Sequence, residues 1–146
     1  MFGPPLQRLQ RVETPRGAYP VSLMGRAQAF QKAMLTGDPA VMAAALAEDV
    51  RFWSPAVHKP YEGRDAVMVL LRAAHQVLEG LKYTEAVESD ERTVLFFSAQ
   101  VADRDVEGID ALRFDETGLV RELVVMIRPH SALSAVMEAM TRRLSG

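Results

Sequence analysis

Two apolar runs that share one polar turn constrain this chain more than any other feature. Gly108-Ile109-Asp110-Ala111-Leu112-Arg113-Phe114 leads into Asp115-Glu116-Thr117-Gly118, and Leu119 to Ile127 follows. Runs of alternating residues on either side of a glycine-ended turn define an antiparallel hairpin. Both faces of this hairpin are apolar, so neither face is suited to water: one should cover helices and the other a second subunit. Asp110 is the exception, an aspartate in mid-strand where aspartate is a poor strand former. Such a carboxylate is paired, capping something, or used.

The remaining segments fall into order around the hairpin. Leu23 to Leu35 repeats apolar residues at helical spacing (Ala27, Phe30, Met34) and ends at Thr36-Gly37, with glycine as the C-terminal cap. Asp38-Pro39 is a start signal, aspartate as N-cap and proline at the first helical position, for a second helix continuing through Ala40 to Ala47. Val50 to Trp53 reads as a short strand closed by Ser54-Pro55, Ala56 to Glu62 as a loop, and Gly63-Arg64-Asp65 as the opening of a third helix that runs to about Glu79. Strands at Leu81 to Glu88, Thr93 to Ala102, Val106 to Phe114 and Leu119 to Arg128 should form an antiparallel meander. Ser131 to Leu144 returns to helical spacing.

Helices first and a long antiparallel sheet afterwards is an α+β order in which the sheet curls around the helices and leaves a cavity. With a four-residue loop, Phe114 pairs with Leu119 and Asp110 with Leu123, which puts Asp110, Leu112, Leu123, Val125 and Ile127 on one face. A three-residue loop would shift the register by one and exchange the partners of Asp110.

Bulk properties narrow the function. A chain of 146 residues suits one domain, and 49% hydrophobic content supplies a core. Lys+Arg 17 against Asp+Glu 19 gives 17 − 19 = −2, without the basic run of a nucleic-acid binder. Cysteines number 0 and the three histidines, His58, His75 and His130, are scattered, so neither a disulfide framework nor a metal site is expected. No apolar stretch approaches the roughly 20 residues of a membrane span and no apolar signal core opens the chain, so a cytoplasmic protein is expected; no cofactor is expected either. Pro4, Pro5, Pro15 and Pro20 with Gly3 and Gly17 predict an irregular arm over residues 1–22. The domain proper then occupies residues 23–146.

Gly37-Asp38, Glu48-Asp49-Val50, Ser54-Pro55, Gly63-Arg64-Asp65 and the string from Ile109 to Val120 resemble, in that order, the nuclear-transport-factor-2-like superfamily. The nearest branches are the ketosteroid isomerases and the SnoaL-like polyketide cyclases, and the resemblance covers about residues 23 to 128. It implies a cystatin-like cone, a curved antiparallel sheet wrapped around three helices and open at one end as a small-molecule pocket, usually dimeric; the C-terminal helix is an addition. In the isomerases a base aspartate moves a proton while a tyrosine and a protonated aspartate stabilise the oxyanion. The resemblance places Asp110 on that protonated aspartate, Ser54 on the base, Phe30 on the oxyanion tyrosine and Leu71 on a supporting tyrosine.

The expected site is a pocket lined by Phe30, Met34, Trp53, Ser54, Tyr61, Leu71, Leu123 and Ile127, with Asp110 at its floor as an acid/base or oxyanion-stabilising group and His58 assisting from the loop. Its ligand would be an apolar small molecule. For Asp110 the alternative is a buried acid that merely bonds a neighbour, and for His58 a solvated loop residue. The two functional expectations are an isomerase, cyclase or hydrolase, and a non-catalytic dimeric binding or scaffold protein. In either case the dimer would form through the sheet.

Overall fold

A computed structural model describes residues 10–12 and 25–145. Its elements run β1 (Gln10–Val12), α1 (Gln28–Thr36), α2 (Pro39–Ala45), β2 (Leu46–Trp53), β3 (Tyr61–Glu62), α3 (Arg64–Val77), β4 (Glu79–Glu88), β5 (Thr93–Val101), β6 (Arg104–Phe114), β7 (Val120–Arg128) and α4 (His130–Ser145). Among the described residues, seven strands form one sheet in the order β1-β4-β5-β6-β7-β2-β3. Within the stretch expected to be an irregular arm, Gln10–Val12 instead pairs with β4 as an edge strand. The rest of that arm and Leu23 lie outside the described residues.

The helix signals act locally. Gly37 adopts a left-handed φ of 70° and returns its N–H to the Ala33 carbonyl, closing α1. Asp38 Oδ1 accepts from the N–H groups of Ala40 at 2.9 Å and Val41 at 3.4 Å, opening α2. α2 ends two residues before Ala47 because Leu46 turns extended and joins the sheet, where it pairs with Val120 and is fully buried. His75 of α3 donates from Nδ1 to the Met34 carbonyl at 2.7 Å, tying α3 to the end of α1.

β4 to β7 form the antiparallel meander, while β2 runs parallel to β7. A parallel neighbour needs a long crossover, and the intervening α3 and meander supply one. Bulges in β4 bend it as the sheet curves around the helices. The buried core, including Phe30, Met42, Val67, Leu71, Leu95, Leu112 and Leu123, fills the space between the concave face and the helices.

The β6–β7 register differs from the sequence expectation by two residues. Asp110 faces Val125, and Leu112 faces Leu123. Asp115 lengthens the loop: its backbone N–H bonds the Leu119 carbonyl, and its Oδ1 takes the N–H groups of Thr117 and Leu119. A bulge opposite Arg113 and Phe114 absorbs a further residue. A shift of two preserves parity in a strand, so Asp110, Leu112, Leu123, Val125 and Ile127 still share the concave face.

The convex face carries two apolar cross-strand rows. Phe96, Ile109 and Met126 form one, and Val94, Ala111, Val124 and Trp53 the other. Phe96 is 40% and Met126 58% exposed. Charged pairs flank the rows: Arg113–Glu122 at 3.3 Å and Arg51–Glu62 at 3.0 Å on one side, Arg128–Glu107 on the other.

Candidate functional site

The concave face, α1, α3 and α4 line a cavity of about 220 Å³, open at the rim where Tyr61 and Leu144 are exposed, whose lining is mostly aliphatic and aromatic. Phe30 and Met34 come from α1, Leu70, Leu71 and Ala74 from α3, Phe52 from β2, and Leu81, Phe97, Val125 and Ile127 from the meander. Five lining residues have side-chain polar atoms: Ser54, Tyr61, Tyr83, Asp110 and Thr141.

Asp110 points inward because β6 alternates between Leu112 on the concave face and Ala111 on the convex one. It is 6% exposed, and the Tyr83 hydroxyl donates to its Oδ2 at 3.2 Å. Burial strips water from the carboxylate and raises its pKa from 3.8 to about 7, an effect the Tyr83 hydrogen bond partly opposes. Tyr83 is pushed well above its ordinary value, first by burial and then by the charge and hydrogen bond of Asp110. Near neutral pH the site therefore holds a phenol that keeps its proton and a carboxyl that is about half ionised. Tyr83 occupies one carboxyl oxygen and leaves the other without a hydrogen-bond partner among the described residues. Replacing Tyr83 by phenylalanine removes a bond that favours the ionised form, so the Asp110 pKa should rise further; NMR titration of the two proteins reads the direction, and a fall would contradict this assignment.

The other expected residues separate into three groups. Phe30, Met34, Ser54, Tyr61, Leu71 and Ile127 line the cavity with Asp110. Ser54 Oγ accepts from the N–H groups of Ala56 at 3.2 Å and Val57 at 3.3 Å, so its lone pairs cap the turn and it is a poor base. Tyr61 stacks on Phe52, with ring centroids 6.2 Å apart, and is 37% exposed at the rim.

Leu123 faces inward but is fully buried in the core and does not line the cavity. Trp53 lies on the convex face: Val50 and Phe52 point inward along β2, so Arg51 and Trp53 point outward, with the Arg51 guanidinium 5.2 Å from the Trp53 ring centre. Phe52 takes the place expected for Trp53. His58 is exposed in the loop and absent from the lining, because the capped Ser54 turn and the pairing of Tyr61 with Phe52 fix the loop ends and leave His58 outside.

Tyr83 is the polar group that sequence reasoning missed. Its signal was the inward spacing from Leu81, but its meeting with Asp110 depends on the sheet: Tyr83 pairs with Phe97, Phe97 with Gly108, and Asp110 is the next inward residue of β6. No cluster of metal-ligating side chains occurs among the described residues. No described helix is long and apolar enough to cross a membrane.

A curved, mainly antiparallel sheet wrapped around helices is the fold of the nuclear-transport-factor-2-like superfamily, to which the chain belongs. Within it the chain belongs to the SnoaL-like domain family, whose sequence profile matches residues 27–123. A steroid delta-isomerase from Pseudomonas aeruginosa is 35% identical with a TM-score of 0.78, over 82% of this chain and 89% of that one. A bacterial protein with a cystatin-like fold from Silicibacter pomeroyi DSS-3 is 31% identical with a TM-score of 0.78, over 82% and 85%. A de novo designed protein with a curved β-sheet superposes with a TM-score of 0.67 over 80% and 94% at 10% identity, a likeness of fold alone. No curated protein sequence matches.

Proposed function

We propose that the cavity binds a small, mainly apolar molecule and that Asp110 exchanges a proton with one polar group on it, as in an isomerase, cyclase or hydrolase. The observation that carries this reading is the carboxyl itself: it lines a mainly apolar cavity with a pKa of about 7, where an acid is equally ready to give or take a proton. Tyr83 holds Oδ2, so Oδ1 is the oxygen that meets the ligand. Similarity to a protein named steroid delta-isomerase points to chemistry beside a carbonyl. The positions that resemble the isomerase base and tyrosines hold Ser54, Phe30 and Leu71, which leaves Asp110 to act without them.

Exchange of the α-protons of cyclic ketones in deuterated buffer tests the reading. Acceleration with an inflection near pH 7 is expected, and Asp110→Asn should reduce it by about 10² to 10⁴. Binding without any acceleration favours the second reading, a non-catalytic binding protein. One observation supports that alternative: among the described residues, the lining holds no histidine, lysine, arginine or second acid.

We further propose that the convex face pairs with a second copy of the chain. Its two apolar rows between charged flanks support this, because exposed apolar area of that kind favours association. Sedimentation should show a dimer that Met126→Glu shifts to monomer; a wild-type monomer at high concentration would remove the proposal.

A further inference from the structure

α4 supplies one wall of the cavity. α4 packs against α3 and against β5, β6 and β7, so it lies across the concave side. Val136, Met137, Met140, Thr141 and Leu144 all line the cavity. Their spacing of i, i+1, i+4, i+5 and i+8 places them on one helix face. Thr141 returns its hydroxyl to the Met137 carbonyl at 2.9 Å, so even the polar member of the face offers the cavity little beyond bulk.

Volume then limits what fits. An engineered protein cavity of about 150 Å³ holds benzene, so 220 Å³ has room below the mouth for about nine heavy atoms at the same occupancy, and a larger ligand would have to extend past Leu144 into water. Pockets for drug-sized ligands run from about 300 to 1,000 Å³. A fused four-ring skeleton of about twenty heavy atoms would need about twice the room that is present. Charge limits it further: with no cationic side chain among the described lining residues, a ligand carboxylate or phosphate would lose its water beside Asp110 and gain no opposite charge.

We propose that α4 restricts the site to neutral carbonyl compounds of about one ring, with Met137, Met140 and Leu144 setting the upper size limit. This rests on the reading of Asp110 as the group that meets the carbonyl. The methionines are half-buried and Leu144 is 45% exposed, so trimming them enlarges the cavity without emptying the core.

Calorimetric titration of the full chain with 2-cyclohexenone, a fused two-ring enone, a fused four-ring enone and cyclohexanecarboxylate tests the proposal. In the wild type the one-ring ketone should bind best, with the four-ring ketone and the carboxylate each weaker by at least about tenfold. Met137→Ala/Met140→Ala should shrink the gap between the one-ring and four-ring ketones by about tenfold. Should that variant fail to fold, Leu144→Ala at the mouth gives the same comparison. A wild type that binds the four-ring ketone as tightly as the one-ring ketone, or a gap unmoved in folded variants, overturns the size limit and leaves the role of Asp110 standing. Ketone binding that is absent, or equal in wild type and Asp110→Asn, overturns the reading beneath it and the proposal together.

Discussion

Asp110→Asn is expected to make the protein more stable than wild type at pH 8, and to leave the two nearly equal at pH 4. The sign follows from linkage. The folded-state pKa of Asp110 lies above its ordinary value, about 7 against 3.8, so the folded chain holds a proton that the unfolded chain has released between those values. The contribution of the protonated acid is fully present below pH 4, declines as pH rises through that window, and is lost above 7. At 1.36 kcal/mol per unit, a shift of this size corresponds to about 4 kcal/mol between the two ends of the window. Asparagine is close in shape, keeps an oxygen for the Tyr83 hydroxyl and does not ionise, so its stability lacks this dependence. Denaturant unfolding of both proteins at pH 4, 6 and 8 measures the difference. Comparing the two cancels other titrating groups, and parallel pH profiles would mean that Asp110 is not raised.

Gly108→Ala should destabilise the fold by about 3 kcal/mol, a large effect for one methyl group. Gly108 sits on the concave side of β6, between Phe97 and Ile127 in the sheet. A Cβ there would lie 2.4 Å from Phe97 Cζ and 2.5 Å from the Met126 carbonyl oxygen. The ring could swing away, but the oxygen belongs to β7 and cannot move without disturbing the ladder. The bare backbone at Gly108 thus lets the Phe97 ring lie over β6 and reach Tyr83, whose ring it meets edge-on at 6.4 Å between centroids. Phe97→Leu in the Gly108→Ala background should recover the side-chain part of the cost and leave the backbone part. Chemical denaturation of the four proteins of this cycle reads both terms, and purely additive costs would show that Phe97 and Gly108 do not meet.

Much of the fold was legible because its signals are local. Gly37, Asp38 and Pro39 mark helix ends through their own backbone preferences, and strand alternation marks the concave face. Asp110 fell on the right face despite a register error of two, since parity alone decides the face. The error came from the Asp115 side chain, which lengthens the loop, and from the bulge beside Arg113, neither of which alternation encodes. Trp53 was misplaced although its signal was present: the exposed Arg51 two residues earlier sets the phase of β2 and puts Phe52 inward. Tyr83 and the α4 face were illegible as site residues for a different reason. Their meeting with Asp110 and the cavity depends on sheet order and on a helix crossing the sheet, contacts between residues far apart in the chain.

The proposed function depends on a carboxyl that is about half protonated near neutral pH inside the cavity. Titration of the Asp110 carboxyl carbon by NMR in the full-length protein tests this most directly. A midpoint near 7 is predicted, moving upward in Tyr83→Phe; a midpoint at or below the ordinary 3.8 would contradict it.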